Sequence, residues 1–150
     1  VIHRLLEVRE EFYEKNDLYF SLESEKSFKN LKLNEVHCIY FIKILEKPNV
    51  TNLALEMKMT TSGVTKVTSR LAKKGYLKKY KLPENKKEVL FSLTEEGEEI
   101  YSIHKKVHEE GYKKNYDFIK RIPEDELKII INFFEENNKF LDEEIQKMSR

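Results

Sequence analysis

Four histidines stand in the sequence, and three of them have the type and spacing to bind a metal. His104 and His108 read H-x-x-x-H, which places two imidazoles one turn apart on one face of a helix. His37 lies in the first turn of an apolar segment that reads as a buried helix. There the positive end of the helix dipole disfavours the imidazolium and favours a neutral, metal-ready ring. Three imidazoles from two helices, completed by a carboxylate or water, suit zinc. Helical histidine pairs also occur as surface or packing residues, and spacing alone leaves both readings open.

A second group of residues carries a different chemistry. The stretch TTSGVTKVTSRLAKKGYLKK, Thr60 to Lys79, threads Val64, Val67 and Leu71 at i, i+3 and i+7 through small hydroxyl residues and cations. At helical spacing those three share one face, while Ser62, Thr65, Lys66, Ser69 and Lys73 share another. Short hydroxyls and cations let a helix sit deep in a major groove, where they reach base edges and phosphates. Such a segment is a weak helix by itself, so packing of its apolar face must supply the stability. Thr61 and Arg70 on the same segment, Lys79 beyond it, and Lys86 and Lys87 farther on complete the candidate DNA contacts. Charge points the same way. Residues 58–87 hold ten Lys or Arg against one acid, Glu84, a net of +9, whereas the remainder sums to −8 and the whole chain to +1. A concentrated basic segment in a near-neutral chain suits a local polyanion; a solvated lysine face is the alternative.

These groups need elements to position them. With 150 residues, 39% hydrophobic and 37% charged, the chain can build one mainly helical domain with a core. Ile2 to about Phe20 carries a broad helical stripe, and Ser21 to Lys32 reads as a polar loop or short extra turn. Asn34 suits the cap of a buried helix from Glu35 to Glu46, which Lys47-Pro48-Asn49 stops. Thr51 caps a short helix from Asn52 to Met57. After a tight turn at Lys58-Met59-Thr60, the basic helix starts at Thr61, and Gly75 ends it. Strands Tyr76–Leu82 and Glu88–Leu93 flank a tip at Pro83-Glu84-Asn85-Lys86-Lys87. Thr94 caps a long helix running to about Arg121, and Pro123 takes the first position of the last one. There Leu127, Ile131, Phe134, Asn138, Leu141, Ile145 and Met148 recur at alternating spacings of 4 and 3, a coiled-coil seam with one polar step.

Short helix, turn, second helix and β-hairpin is the order of a winged helix-turn-helix. The expected fold class is mainly α with a small β-hairpin wing and with N- and C-terminal dimerisation helices. Residues 1–33 form the N-terminal dimerisation helix and loop, 34–93 the DNA-binding lobe, and 94–150 the C-terminal dimerisation helices, in one compact domain. A lone copy would leave the terminal stripes bare, which argues for a homodimer. Half-sites read by such a dimer lie about 34–36 Å apart.

Other classes find less support. No apolar run reaches the roughly 18 residues that a membrane span needs, and no signal-peptide pattern opens the chain. The single cysteine, Cys38, rules out an intrachain disulfide framework, so a cytoplasmic protein without a membrane partner is expected. The start at Val1 suggests that a few residues precede it. Neither H-E-x-x-H, nor a phosphate-cradling glycine loop, nor G-x-S-x-G is present, so no enzyme is expected. Cys38 lies on a helix that should be buried, and no second cysteine can resolve a sulfenic acid, which argues against a redox role. A dimeric helical interaction protein without a DNA role is the remaining alternative.

The stretches TNLALEMKMTTSGVTKVTSRLAKKGYLKK (Thr51–Lys79) and LFSLTEEG (Leu90–Gly97) resemble the MarR family of transcription regulators. The carriers are threonine before Leu-Ala, a Val-Thr pair in the recognition helix, Lys-Gly before the wing, and Leu-Thr-x-x-Gly. The order of elements fits over nearly the whole chain. The resemblance implies a homodimeric repressor with intertwined terminal helices, bound to a pseudo-palindromic double-stranded operator. The family's wing usually carries Asp followed by an Arg that enters the minor groove. Asn85-Lys86-Lys87 stands in that place here, and lysine lacks the planar fork, so phosphate attraction is retained with less minor-groove selectivity.

The resemblance extends to the histidines. The zinc-responsive branch of the family, the adhesin-competence type of repressor, has a histidine early in its second helix and an H-x-x-x-H pair on the long helix. His37, His104 and His108 match, which implies Zn(II) as corepressor, clamping the DNA-reading lobe to the dimer-forming helix. The branch's glutamate ligand falls on Tyr19, so Asp17, Glu23 or Glu25 would have to replace it. Its second site, a Cys and two Glu, reads Glu25, Val36 and Ile103 and is implied to be absent. The family's common alternative is a small aromatic or phenolic effector that releases DNA, with Tyr19, Tyr40 and Phe41 as candidate pocket residues.

Overall fold

The computed structural model describes residues 1–28 and 30–148. Their elements are α1 (Ile2–Ser27), α2 (Leu33–Ile44), α3 (Val50–Glu56), α4 (Thr61–Lys73), β1 (Leu77–Leu82), β2 (Asn85–Leu93), α5 (Glu95–Ile119) and α6 (Glu124–Met148). The fold is the expected one: mainly helical, with a two-stranded antiparallel wing after a helix-turn-helix. No helix among the described residues is long and apolar enough to cross a membrane.

The residues pack as two compact units, one from Val1 to Val107 and one from His108 onward. The boundary between them falls inside α5. Helix α5 has 25 residues, and only Gly97 and His104 are buried along it.

The core of the first unit is built from Cys38, Ile39 and Ile42 on α2, Leu53 and Ala54 on α3, Val64, Val67 and Leu71 on α4, Leu77 on β1 and Phe91 on β2. Thr68 is also buried, and its hydroxyl donates to the Val64 carbonyl at 3.0 Å, so a polar group enters the core already satisfied.

Several element ends differ from the sequence expectation, each for a local reason. Helix α1 continues through Ser21–Ser27, because that stretch holds helix-tolerant Leu, Glu and Lys and no Gly or Pro. Helix α2 begins at Leu33, and Asn34 is inside it. The cap bond comes instead from the Glu35 carboxylate, which accepts the Lys32 N–H at 3.0 Å. Asn49, not Thr51, caps α3, its side-chain oxygen accepting the Asn52 N–H at 2.8 Å. Thr60 caps α4 by accepting the Gly63 N–H at 3.1 Å. Gly75, at φ 85°, closes α4 as expected: its N–H donates to Ala72 and the Tyr76 N–H to Leu71. Helix α5 stops at Ile119, short of Arg121, and Pro123 stands one residue before α6.

The wing pairs Leu77 with Leu93 and Tyr80 with Leu90, then shifts register so that Leu82 faces Asn85. Its tip is therefore Pro83-Glu84, and Asn85, Lys86 and Lys87 belong to β2. At the root, the Thr94 hydroxyl donates to the Gly75 carbonyl at 2.6 Å and accepts the Gly97 N–H at 3.1 Å, while the Thr94 N–H donates to Tyr76 at 3.1 Å. A Cβ on Gly97 would lie 2.1 Å from the Tyr76 carbonyl oxygen, a backbone atom with little room to yield. Gly97→Ala is expected to destabilise the protein by about 1–3 kcal/mol, as overpacking does. Urea unfolding should read this as a lowered midpoint.

Candidate nucleic-acid interface

Helix α4 shows one face to the core and the other to solvent. Val64, Val67 and Leu71 are buried, whereas Thr61, Ser62, Thr65, Lys66, Ser69 and Lys73 are exposed. The Thr65 hydroxyl donates to the Thr61 carbonyl at 2.8 Å. Its proton is thereby spent along the helix, while its lone pairs and methyl group stay available to base edges.

All ten cations between residues 58 and 87 are exposed, Lys79 on β1 and Lys86 and Lys87 on β2 among them. Glu88 accepts from Asn49 and Asn85, which ties the wing to the cap of α3.

Arg70 is placed differently from the rest of the proposed DNA-contacting set. Its Nε donates to Glu35 Oε1 at 3.0 Å, and Lys74 Nζ donates to Glu35 Oε2 at 2.8 Å. The Glu35 side chain is 1% exposed, those of Arg70 and Lys74 44% and 38%. Burial pushes the Glu35 carboxyl up, but Lys74, the Lys32 N–H and Arg70 outweigh it and hold the group below its ordinary value.

Cys38 is buried beside this cluster in sequence. Burial, with the Glu35 charge adding to it, pushes its thiol up to about 12. At neutral pH the nucleophilic thiolate is therefore suppressed.

Of the candidate metal ligands, the first unit brings His37 and His104 together, ring centroids 5.7 Å apart. Tyr40 lies 5.2 Å and Phe28 6.3 Å from the His104 ring. His108 belongs to the second unit. Glu23 accepts from the Tyr19 hydroxyl at 3.0 Å. Glu25 and Asp17 line a cleft of about 570 Å³ with Phe20, Ser21, Ser24, Phe28, Leu31, Lys32 and Leu33. Among the described residues, no three His, Cys, Asp or Glu gather to hold a metal. The cleft's aromatic residues are Phe20 and Phe28. Tyr19, Tyr40 and Phe41 are not in its wall: Tyr40 stacks on Tyr101 at 6.1 Å, and Tyr19 packs edge-on against Phe20.

Residues 31–89, from the approach to α2 through most of the wing, match the MarR family. Over 112 residues the chain is 31% identical to the HTH-type transcriptional regulator PchR of Bacillus subtilis (strain 168), covering 75% of this chain and 66% of that protein. The chain belongs to the MarR family. It spans just under two thirds of PchR's length. Among solved structures it is similar to Streptococcus pneumoniae FabT in complex with DNA, with a TM-score of 0.77, 22% identity, and 95% of this chain and 99% of that one covered. It is also similar to a zinc-responsive MarR family member, Lactococcus lactis ZitR, with a TM-score of 0.69, 19% identity, and 89% and 99% covered. At these identities the likeness is one of fold. MarR-family transcription regulators are non-enzymatic DNA-binding proteins.

Within this MarR-family chain, sequence reasoning missed Glu35 and Lys74. Glu35 read only as the first residue of a helix, and its partners lie 35 and 39 positions away. The available signal was an acid opening an otherwise apolar helix.

Two outcomes test this description. Glu35→Gln should lower stability by about 2 kcal/mol near neutral pH, a modest figure because both cations keep part of their hydration. Because the folded-state value is lowered, this stabilisation is full above the ordinary Glu value of about 4.3 and is lost as pH falls below it. Urea midpoints of wild type and variant should therefore converge in acid. Cys38 should resist a thiol reagent in the folded protein and react at once in denaturant.

Proposed function

We propose that this chain is a homodimeric, sequence-specific regulator of transcription that represses by binding a pseudo-palindromic double-stranded operator. One observation carries the reading: α4 is anchored by Val64, Val67 and Leu71 and turns Ser62, Thr65, Lys66, Ser69 and Lys73 outward. In this reading the hydroxyl residues, with Thr61 at the helix start, meet base edges. Lys66, Lys73, Lys79, Lys86 and Lys87 meet phosphates and fix the register. The DNA held by FabT, a protein of the same fold, supports it. A helical interaction protein without a DNA role leaves the exposed hydroxyl-and-lysine face without a purpose.

Dimerisation draws support from the terminal helices, neither of which has a buried residue. Ile131, Phe134, Leu141, Ile145 and Met148 of the α6 seam are exposed, as are Leu5, Leu6, Phe12 and Phe20 of α1. A second copy is the natural cover for such stripes.

One candidate effector is a small aromatic or phenolic molecule in the α1–α2 cleft, where Phe20, Phe28, Leu31 and Leu33 offer apolar walls. Zn(II) has the His37–His104 pair and the likeness to zinc-responsive ZitR in its favour. Yet zinc takes four ligands, and among the described residues no three His, Cys, Asp or Glu are gathered to hold it. No step of DNA binding is therefore assigned to a metal.

In a salt titration, Lys86→Gln and Lys87→Gln should each flatten the log–log slope by about 0.9 if each lysine holds one phosphate. Ser62→Ala, Thr65→Ala or Ser69→Ala should instead change the sequences selected from a randomised duplex pool. A wild-type protein whose binding ignores salt would refute DNA reading. Loss of binding on chelation, restored by zinc, would put the metal in place of the organic effector.

A further inference from the structure

We propose that Glu35 is a positioning residue for DNA reading, which holds Arg70 and Lys74 back from the phosphates while fixing the rotation of α4 about its own axis. This rests on the DNA-binding function proposed above.

The geometry has three arms. One carboxylate oxygen accepts from Arg70 Nε at 3.0 Å, and the other accepts from Lys74 Nζ at 2.8 Å and from the Lys32 N–H at 3.0 Å. Lys74 Nζ also donates to the Asn30 carbonyl at 2.9 Å. Arg70 on α4 and Lys74, its C-cap residue, are four positions apart, on the flank between the buried row and the outward row. A carboxylate this buried is costly to leave unpaired, so the pull on both cations is strong. Rotating α4 in either direction stretches these bonds, and the hydroxyl row is thereby aimed.

The arrangement has a consequence for specificity. Arg70 and Lys74 are long cations beside the DNA-facing row. Unrestrained, they would grip any phosphate backbone, since phosphate contacts carry no direct sequence information. Held by Glu35, they contribute less to indiscriminate binding. The glutamine of Glu35→Gln has one carbonyl oxygen and an amide whose N–H groups face the same cations, so at least one cation is released. Random-sequence DNA should then be bound more tightly and with a steeper salt dependence. The log–log slope should grow by about 0.9 for each cation that reaches a phosphate. The ratio of selected-site to random-site affinity should fall. A merely structural role would weaken binding to all DNA and would not steepen the slope.

The experiment compares wild type, Glu35→Gln and the triple variant Glu35→Gln/Arg70→Gln/Lys74→Gln, all as the full chain. Each is titrated with salt on a random-sequence 30-base-pair duplex and on a duplex selected by the wild type from a randomised pool. The inference expects a steeper slope and reduced discrimination for the single variant, and a wild-type slope for the triple. If the wild type binds with salt dependence and the single variant, folded by circular dichroism, keeps slope and discrimination, Glu35 has no such role while the DNA-binding function stands. If the wild type shows no salt-dependent binding, both readings fall. If the single variant does not fold, the triple decides: a wild-type slope supports the inference, and a shallower slope overturns it by placing Arg70 or Lys74 on DNA.

Discussion

The packing of Val64, Val67 and Leu71 against α2 is the interaction on which the rest depends. Helix α4 is otherwise a poor helix, with Thr, Ser, Val and Gly at most of its first nine positions. Such residues cost a few tenths of a kcal/mol each relative to alanine, and Gly63 about 1. Burying a large aliphatic side chain returns about 1.5–3 kcal/mol. Three of them offset the deficit, so tertiary packing holds the helix, and its outer face is free to carry side chains chosen for something other than helicity. Small hydroxyl residues, unfavourable on most exposed helices, become admissible there.

The second attachment of α4 is of the opposite kind. Glu35 sits nearly without exposure and is kept ionised by two cations and one backbone N–H. Such a cluster contributes little net stability compared with an apolar replacement, because desolvation consumes much of the attraction. What it adds is direction. An apolar row can slide or roll slightly against its neighbour with small loss, whereas the two hydrogen bonds that Arg70 and Lys74 make to one buried carboxylate resist it. The same charge raises the barrier to ionising Cys38, so this end of the core favours one charged state and no reactive thiol.

What the sequence disclosed follows from the range of the interactions concerned. The apolar row of α4, the Gly75 stop and the Thr94 cap depend on residues within a few positions, and each could be read from spacing. The start of α2 differs slightly from what its residues suggest, because Asn34 has the better capping chemistry, while Glu35 performs the task from three residues inside. The Arg70 and Lys74 partners were not legible, since no period links residues 35 and 39 positions apart. Spacing shows the Arg70 charge but not the carboxylate that holds it. The wing tip is narrower than its composition suggests for a related reason: Asn85-Lys86-Lys87 is polar and turn-like, but Asn85 pairs with Leu82 and the strand β2 begins there. Nor could spacing tell that α1 would run on to Ser27 or that α5 would pass from one packed unit into the next.

Thr94 ties three elements together. One residue fastens the end of α4 at Gly75, the entrance to the first strand at Tyr76, and the opening turn of α5 at Gly97. The missing side chain of Gly97 lets α5 press directly on the strand entrance. A joint so short has no slack. The two fingers that would grip a duplex thus share one hinge pin with the opening turn of α5.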